Sequence, residues 1–162
     1  KTSPENRAWM RTLPAEIRFT LGRHRVLCCH GSPRRTNEFL WESTTPTHFL
    51  DKLAADHDAD VIVGTHTGIK WHRQLASDRH FVNVGVIGRP ENDGRTNVWY
   101  SILEAQREFT VTFVPLEYDH ESLAREMETE ELPREFIDTI RTGWWSTCLE
   151  VLPAKERKRG RF

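Results

Sequence analysis

Twice in this chain an apolar, strand-like run breaks off into a loop of glycine and histidine. Val26-Leu27-Cys28-Cys29 stops at His30-Gly31-Ser32-Pro33, and Val61-Ile62-Val63 stops at Gly64-Thr65-His66-Thr67-Gly68. Short, continuously apolar runs of this kind are consistent with strands covered on both faces. Between them Phe49, Leu50, Leu53 and Ala54 repeat at helical spacing after Thr45-Pro46. Strand, helix, strand is the unit that builds parallel neighbours in an α/β sheet. The carboxyl ends of such strands share one edge, where loops gather ligands. The order predicts an α/β fold, a mixed β-sheet with flanking helices, with His30 and His66 at the same end of neighbouring strands.

The rest of the chain fits that plan. Ile17, Phe19 and Leu21 alternate, which predicts a strand over 16–21. Residues 81–84 read as another, and 98–103 with 109–114 as a hairpin. Ser3-Pro4-Glu5 starts a helix carrying Trp9, Met10 and Leu13, which Pro14 ends. Asp119 caps a helix with Leu123, Ala124 and Met127; Pro133 opens another, which Gly143 closes. One sheet is expected from the strands between 16 and 116, with helices on one face. Its other face is then left for a missing segment or a second copy to cover.

Composition narrows the class. The 162 residues suit one domain, 1–162, with a basic tail over 155–162. With 23 basic against 24 acidic residues, a general nucleic-acid binder is disfavoured. No apolar run is long enough for a membrane-spanning helix. Cys28, Cys29 and Cys148 form no disulfide framework, which points to a reducing, cytoplasmic compartment. Cys28 and Cys29 read as core thiols, and Ser32 lacks the partners of a serine nucleophile. Trp144-Trp145 is expected to pack the last helix on the body, and the basic tail to be a solvated end. His24, His57, His80 and His120 read as surface residues, whereas His30 and His66 could share a metal ion.

Three strings carry a family resemblance: His30-Gly31-Ser32-Pro33, Asp60-Val61-Ile62-Val63-Gly64-Thr65-His66-Thr67-Gly68, and Val82-Asn83-Val84-Gly85-Val86-Ile87-Gly88-Arg89-Pro90. In order and spacing they resemble the second half of the calcineurin-like metallophosphoesterases, of the small bacterial phosphodiesterase and phosphatase branch. The resemblance implies half of an α/β/β/α sandwich and a metal-dependent phosphoesterase. It implies metal ligands at His30 and His66, and manganese, iron or zinc as the ions. It also suggests substrate contacts at Ser32, Thr67 and Asn83.

The family's Asp-x-His and Gly-Asn-His-Asp blocks have no counterpart here. They supply the bridging aspartate, an asparagine ligand and the catalytic histidine, so the chain reads as a C-terminal portion. Gly68 stands where the family has a second histidine, and His72 is the nearest replacement. The competing reading is a binding or scaffold module that keeps the fold with a degenerate metal site. The partners implied are a phosphoester substrate, and a homodimer or N-terminal segment over the open sheet face.

Overall fold

A computed structural model describes residues 2–158. The main sheet has five strands in the order β1-β2-β3-β5-β4. β1 (Glu16–Leu21) pairs antiparallel with β2 (His24–Cys29), and β2 runs parallel to β3 (Val61–Gly64). β3 runs parallel to β5 (His80–Asn83), and β4 (Trp71–Gln74) closes the far edge antiparallel to β5. The sheet is mixed, as expected, and its three parallel strands all end at one edge.

α2 (Thr47–Asp56) connects β2 to β3 and covers one face. Leu50, Leu53 and Ala54 of α2 pack there with Leu27, Ile62, Trp71 and Phe81 of the strands. Leu27, Ile62 and Phe81 are fully buried, as the unbroken apolar runs require.

The sequence predicts one sheet, but two form. β6 (Val98–Ala105) and β7 (Phe109–Leu116) make a separate antiparallel hairpin. Val26, Val61, Val63 and Val82 on the second face pack against Phe109, with Leu103, Val111 and Phe113 partly buried beside them. The chain thus covers much of the face expected to stand open. Hairpin strands that alternate apolar and polar residues seal a sheet with one side and meet water with the other. Several large apolar side chains at β1 and before it stay exposed. Ile17 is 57% and Phe19 44% exposed, and α1 (Pro4–Met10) and its exit leave Trp9 61%, Met10 55% and Leu13 49% exposed.

β4 has no counterpart in the sequence reading. Its four residues are too few and too polar to show a period. Trp71 nonetheless stacks on Phe81 at 4.8 Å, and Arg73 donates to the backbone carbonyls of Glu42 and Thr45. The C-terminal helices follow their sequence signals. α3 (His120–Thr129) is capped by Asp119, whose side chain accepts from the Ser122 amide, and α4 (Arg134–Thr142) ends at a left-handed Gly143. α5 (Ala154–Arg157) is held by buried Glu156, which accepts from the amide and hydroxyl of Ser43. The start of the basic tail is therefore anchored; Arg159 to Phe162 lie outside the described residues.

Asp60 joins β2 to β3 electrostatically. Arg25 donates to it from the backbone amide at 2.8 Å, from Nε at 2.9 Å and from Nη2 at 2.8 Å. The Arg25 hydrogen bonds pull the carboxyl down to about 2 from its ordinary 3.8. A carboxyl held low in the folded state adds stability that is whole above the ordinary value and lost as pH falls through the lowered one. Urea midpoints are expected to fall between about pH 4 and pH 2, less steeply for Asp60→Asn. Equal slopes for the two proteins would contradict this reading.

Candidate metal centre

β2 and β3 run in step, with Cys28 opposite Val63, so both loops leave the sheet at one edge. The imidazole centroids of His30 and His66 lie 4.8 Å apart with ring planes at 67°. Gly64 makes this approach possible, because a Cβ there would meet the carbonyl oxygen of Gly31 at 2.9 Å. The Thr65 hydroxyl donates to the Gly85 carbonyl and ties the second loop to the segment after β5.

His30 Nδ1 lies 2.5 Å from the carbonyl oxygen of Thr36. A carbonyl only accepts, so Nδ1 carries the proton and, in the neutral ring, Nε2 keeps its lone pair. That arrangement is the usual one for a metal-binding imidazole. His66 is held in the left-handed region at φ 83, with its ring packed on Phe39 at 4.6 Å. Its Nε2 is buried and has no hydrogen-bond partner. Burial, and then the neighbouring His30, hold the His66 imidazole below its ordinary value of 6.5, so it is neutral at pH 7.

These two rings suit one divalent ion but do not complete its shell, since structural and catalytic sites use three or four protein ligands. Gly68 sits at φ +77, and a Cβ there would meet the Trp145 ring at 3.0 Å. A histidine at that position would be strained and would displace the tryptophan. His72 does not replace it: its Nε2 lies 3.0 Å from His80 Nδ1. Among the described residues, the three-donor group with ligand atoms all within 4.8 Å is His24, Asp78 and His80, at the opposite end of the strands.

The three residues suggested as substrate contacts are all buried. The Ser32 hydroxyl donates to Glu38 Oε2 at 2.5 Å and accepts from the Arg35 amide at 3.2 Å. Asn83 Nδ2 donates to Thr67 Oγ1 at 2.6 Å, and Asn83 Oδ1 accepts from the Gly85 amide at 3.0 Å. These bonds hold the three loops in place. Burial pushes the Cys29 thiol up to about 12 and the Cys28 thiol up as well, as befits core thiols rather than nucleophiles.

Two cavities flank the histidines. A groove of about 340 Å³ opens beside His30 and is lined by Ile17, Cys28, Val63 and Val84. A second cavity of about 240 Å³ lies beyond His66, between Phe39, Trp41, Arg89 and Trp145. Sequence reasoning missed Arg89, whose guanidinium lies 3.8 Å over the Trp145 ring and whose Nε is buried without a partner. Only its place next to Gly88 and Pro90 hinted at a site. Trp145 does pack on the body, with Trp41, Ile69 and Leu152, and its position over Gly68 makes it a wall of the centre.

No protein-family model matches the chain, and no curated protein matches it significantly. Solved structures do. A hypothetical protein from Pyrococcus horikoshii OT3 superposes with a TM-score of 0.73 at 20% identity, over 88% of this chain and 56% of that one. A metallophosphoesterase from Sphaerobacter thermophilus gives 0.65 at 22% identity, over 88% of this chain and 63% of that one. The chain spans between half and two thirds of the length of these relatives. At such identities the likeness concerns the fold alone: this chain folds as those two proteins do.

Proposed function

We propose that the chain is the C-terminal, metal-binding portion of a phosphoesterase that cleaves a phosphoester with metal-activated water. The carrying observation is the pair of imidazoles 4.8 Å apart, His30 with Nδ1 on the Thr36 carbonyl and His66 with a buried, unpartnered Nε2. A divalent ion, when bound, would neutralise phosphoester oxygens and lower the pKa of its water. Nitrogen donors suit manganese, iron or zinc. His30 and His66 bind the ion, and Thr36 orients His30. Ser32, Thr67 and Asn83 fix the loops on which both rings ride. Arg89, whose buried Nε has no partner, faces the substrate phosphate.

The remaining ligands and the general acid come from outside these residues. The groove beside His30 is their entry, and a preceding segment or a second copy covers exposed Trp9, Met10, Leu13, Ile17 and Phe19. The three cysteines are free, in keeping with work in the cytoplasm. A second reading, a scaffold module with a degenerate site, is favoured by one observation: Trp145 packs against Gly68 where a further ligand would stand.

Manganese added to the chain is expected to broaden the NMR signals of Thr36, His66 and Gly68 first, because a paramagnetic ion relaxes nearby nuclei. His66→Ala should abolish that local broadening. Uniform broadening, or local broadening that survives the substitution, would favour the scaffold module.

A further inference from the structure

At the other end of the strands, three residues that the phosphoesterase site does not use converge. His24 begins β2 and His80 begins β5, so both sit at the amino ends of parallel strands. β2 is six residues long, which puts them roughly 20 Å from His30. The rings are 6.1 Å apart and only 4% and 3% exposed. Phe109 of the hairpin closes over both, at 5.3 Å from His24 and 4.4 Å from His80. Asp78 reaches in beneath them from a turn in which Ser77 and Asp78 are both left-handed, at φ 55 and 57.

The contacts are ligand-like. His24 Nε2 lies 3.2 Å from Asp78 Oδ2, and His80 Nε2 lies 3.7 Å from Asp78 Oδ1. The second gap is too long for a hydrogen bond, and His80 Nε2 is buried without a hydrogen-bond partner. Two donors on one tetrahedral ion with bonds of about 2.0–2.1 Å stand roughly 3.3 Å apart; the His24–Asp78 gap matches this, and one ligand atom from each of the three residues lies within 4.8 Å of the others. His80 Nδ1 is meanwhile engaged by His72 Nε2 at 3.0 Å. When His80 donates in that bond, Nε2 presents a lone pair to Asp78, the outer-shell arrangement that orients metal-binding imidazoles.

We propose that His24, Asp78 and His80 bind a transition-metal ion of the zinc class, separate from the His30 and His66 centre. Two imidazoles and one carboxylate suit zinc, cobalt or nickel better than magnesium or calcium, which prefer all-oxygen shells. Asp78, 40% exposed at its side chain, leaves room for water as the fourth ligand. Arg23 is the resident competitor: its Nη2 contacts Asp78 Oδ2 at 2.5 Å, and its side chain is 70% exposed and free to swing away.

The test is cobalt and zinc titration of the whole chain carrying His30→Ala and His66→Ala, followed by visible absorption and calorimetry. One ion per chain is expected, with the absorption of four-coordinate cobalt. Asp78→Asn, a substitution at the partly exposed member, should weaken binding at least about tenfold, and Arg23→Gln should tighten it roughly threefold or more. His80→Ala should abolish binding, with circular dichroism confirming the fold. No cobalt absorption at millimolar metal, or binding indifferent to both Asp78→Asn and Arg23→Gln, overturns the site. Neither outcome bears on the His30 and His66 centre, which this background lacks.

Discussion

With manganese present, the chain alone is expected to hydrolyse bis-p-nitrophenyl phosphate no faster than the metal ion in free solution. Two imidazoles 4.8 Å apart can hold an ion but not a bridged pair of ions. Among the described residues, no third His, Cys, Asp or Glu joins them in a group that could hold a metal ion, and Glu16, which lines the groove beside His30, is paired with Arg18. Glu38 is bound to Ser32 and Arg34, and the Arg34 contact holds its carboxyl below the ordinary range. Positioned acid–base groups alone contribute about 10² to 10⁴ in rate. Fused to a preceding segment that brings a bridging aspartate, an asparagine ligand and a histidine acid, the chain should gain roughly a thousandfold or more. That gain should vanish with His30→Ala. Turnover by the chain alone that His30→Ala abolishes would show that residues already here complete the site. A fused protein that binds manganese without turnover would favour the scaffold reading.

The framework of this fold is legible because its signals are local. The short unbroken runs at 26–29 and 61–63, each cut off by glycine, read as doubly covered strands, and the helical period at 49–54 names the element between them. With those three placed, His30 and His66 must leave the sheet at one edge. The hairpin at 98–116 is equally readable as a hairpin. Its place over Val26, Val61 and Val82 is not, because packing between elements distant in sequence leaves no periodic trace. The same holds for Trp145 over Gly68 and for Glu156 under Ser43. His24 and His80 illustrate the limit on the site side. Polar residues at strand starts normally face water, and only the turn at Ser77-Asp78 and the closure by Phe109 turn these two into buried neighbours. Asn83 is suggested as a substrate contact only through the family resemblance, and the structure shows it fully buried between two loops.

Asn83→Ala is expected to cost about 2–4 kcal/mol and to loosen the His66 loop at the same time. Asn83 is fully buried at the end of β5, where it bridges two loops with one side chain. Its amide donates to Thr67, next to His66, and its carbonyl oxygen accepts from Gly85, whose own carbonyl receives the Thr65 hydroxyl. Truncation to alanine leaves the Thr67 hydroxyl and the Gly85 amide buried with one partner fewer each, at about 1–3 kcal/mol for each group left unsatisfied. Thr67→Ser keeps the accepting oxygen and should cost about 1 kcal/mol or less, which separates the hydrogen bond from the lost methyl group. Urea unfolding measures both. The local manganese broadening at His66 should weaken in Asn83→Ala and persist in Thr67→Ser, since metal binding there needs the loop in register. If Asn83 instead served as a substrate contact alone, its alanine variant would unfold within about 0.5 kcal/mol of the parent and bind manganese unchanged. A residue that holds the ligand loop shut and a residue that touches substrate thus differ in a measurement made with no substrate present.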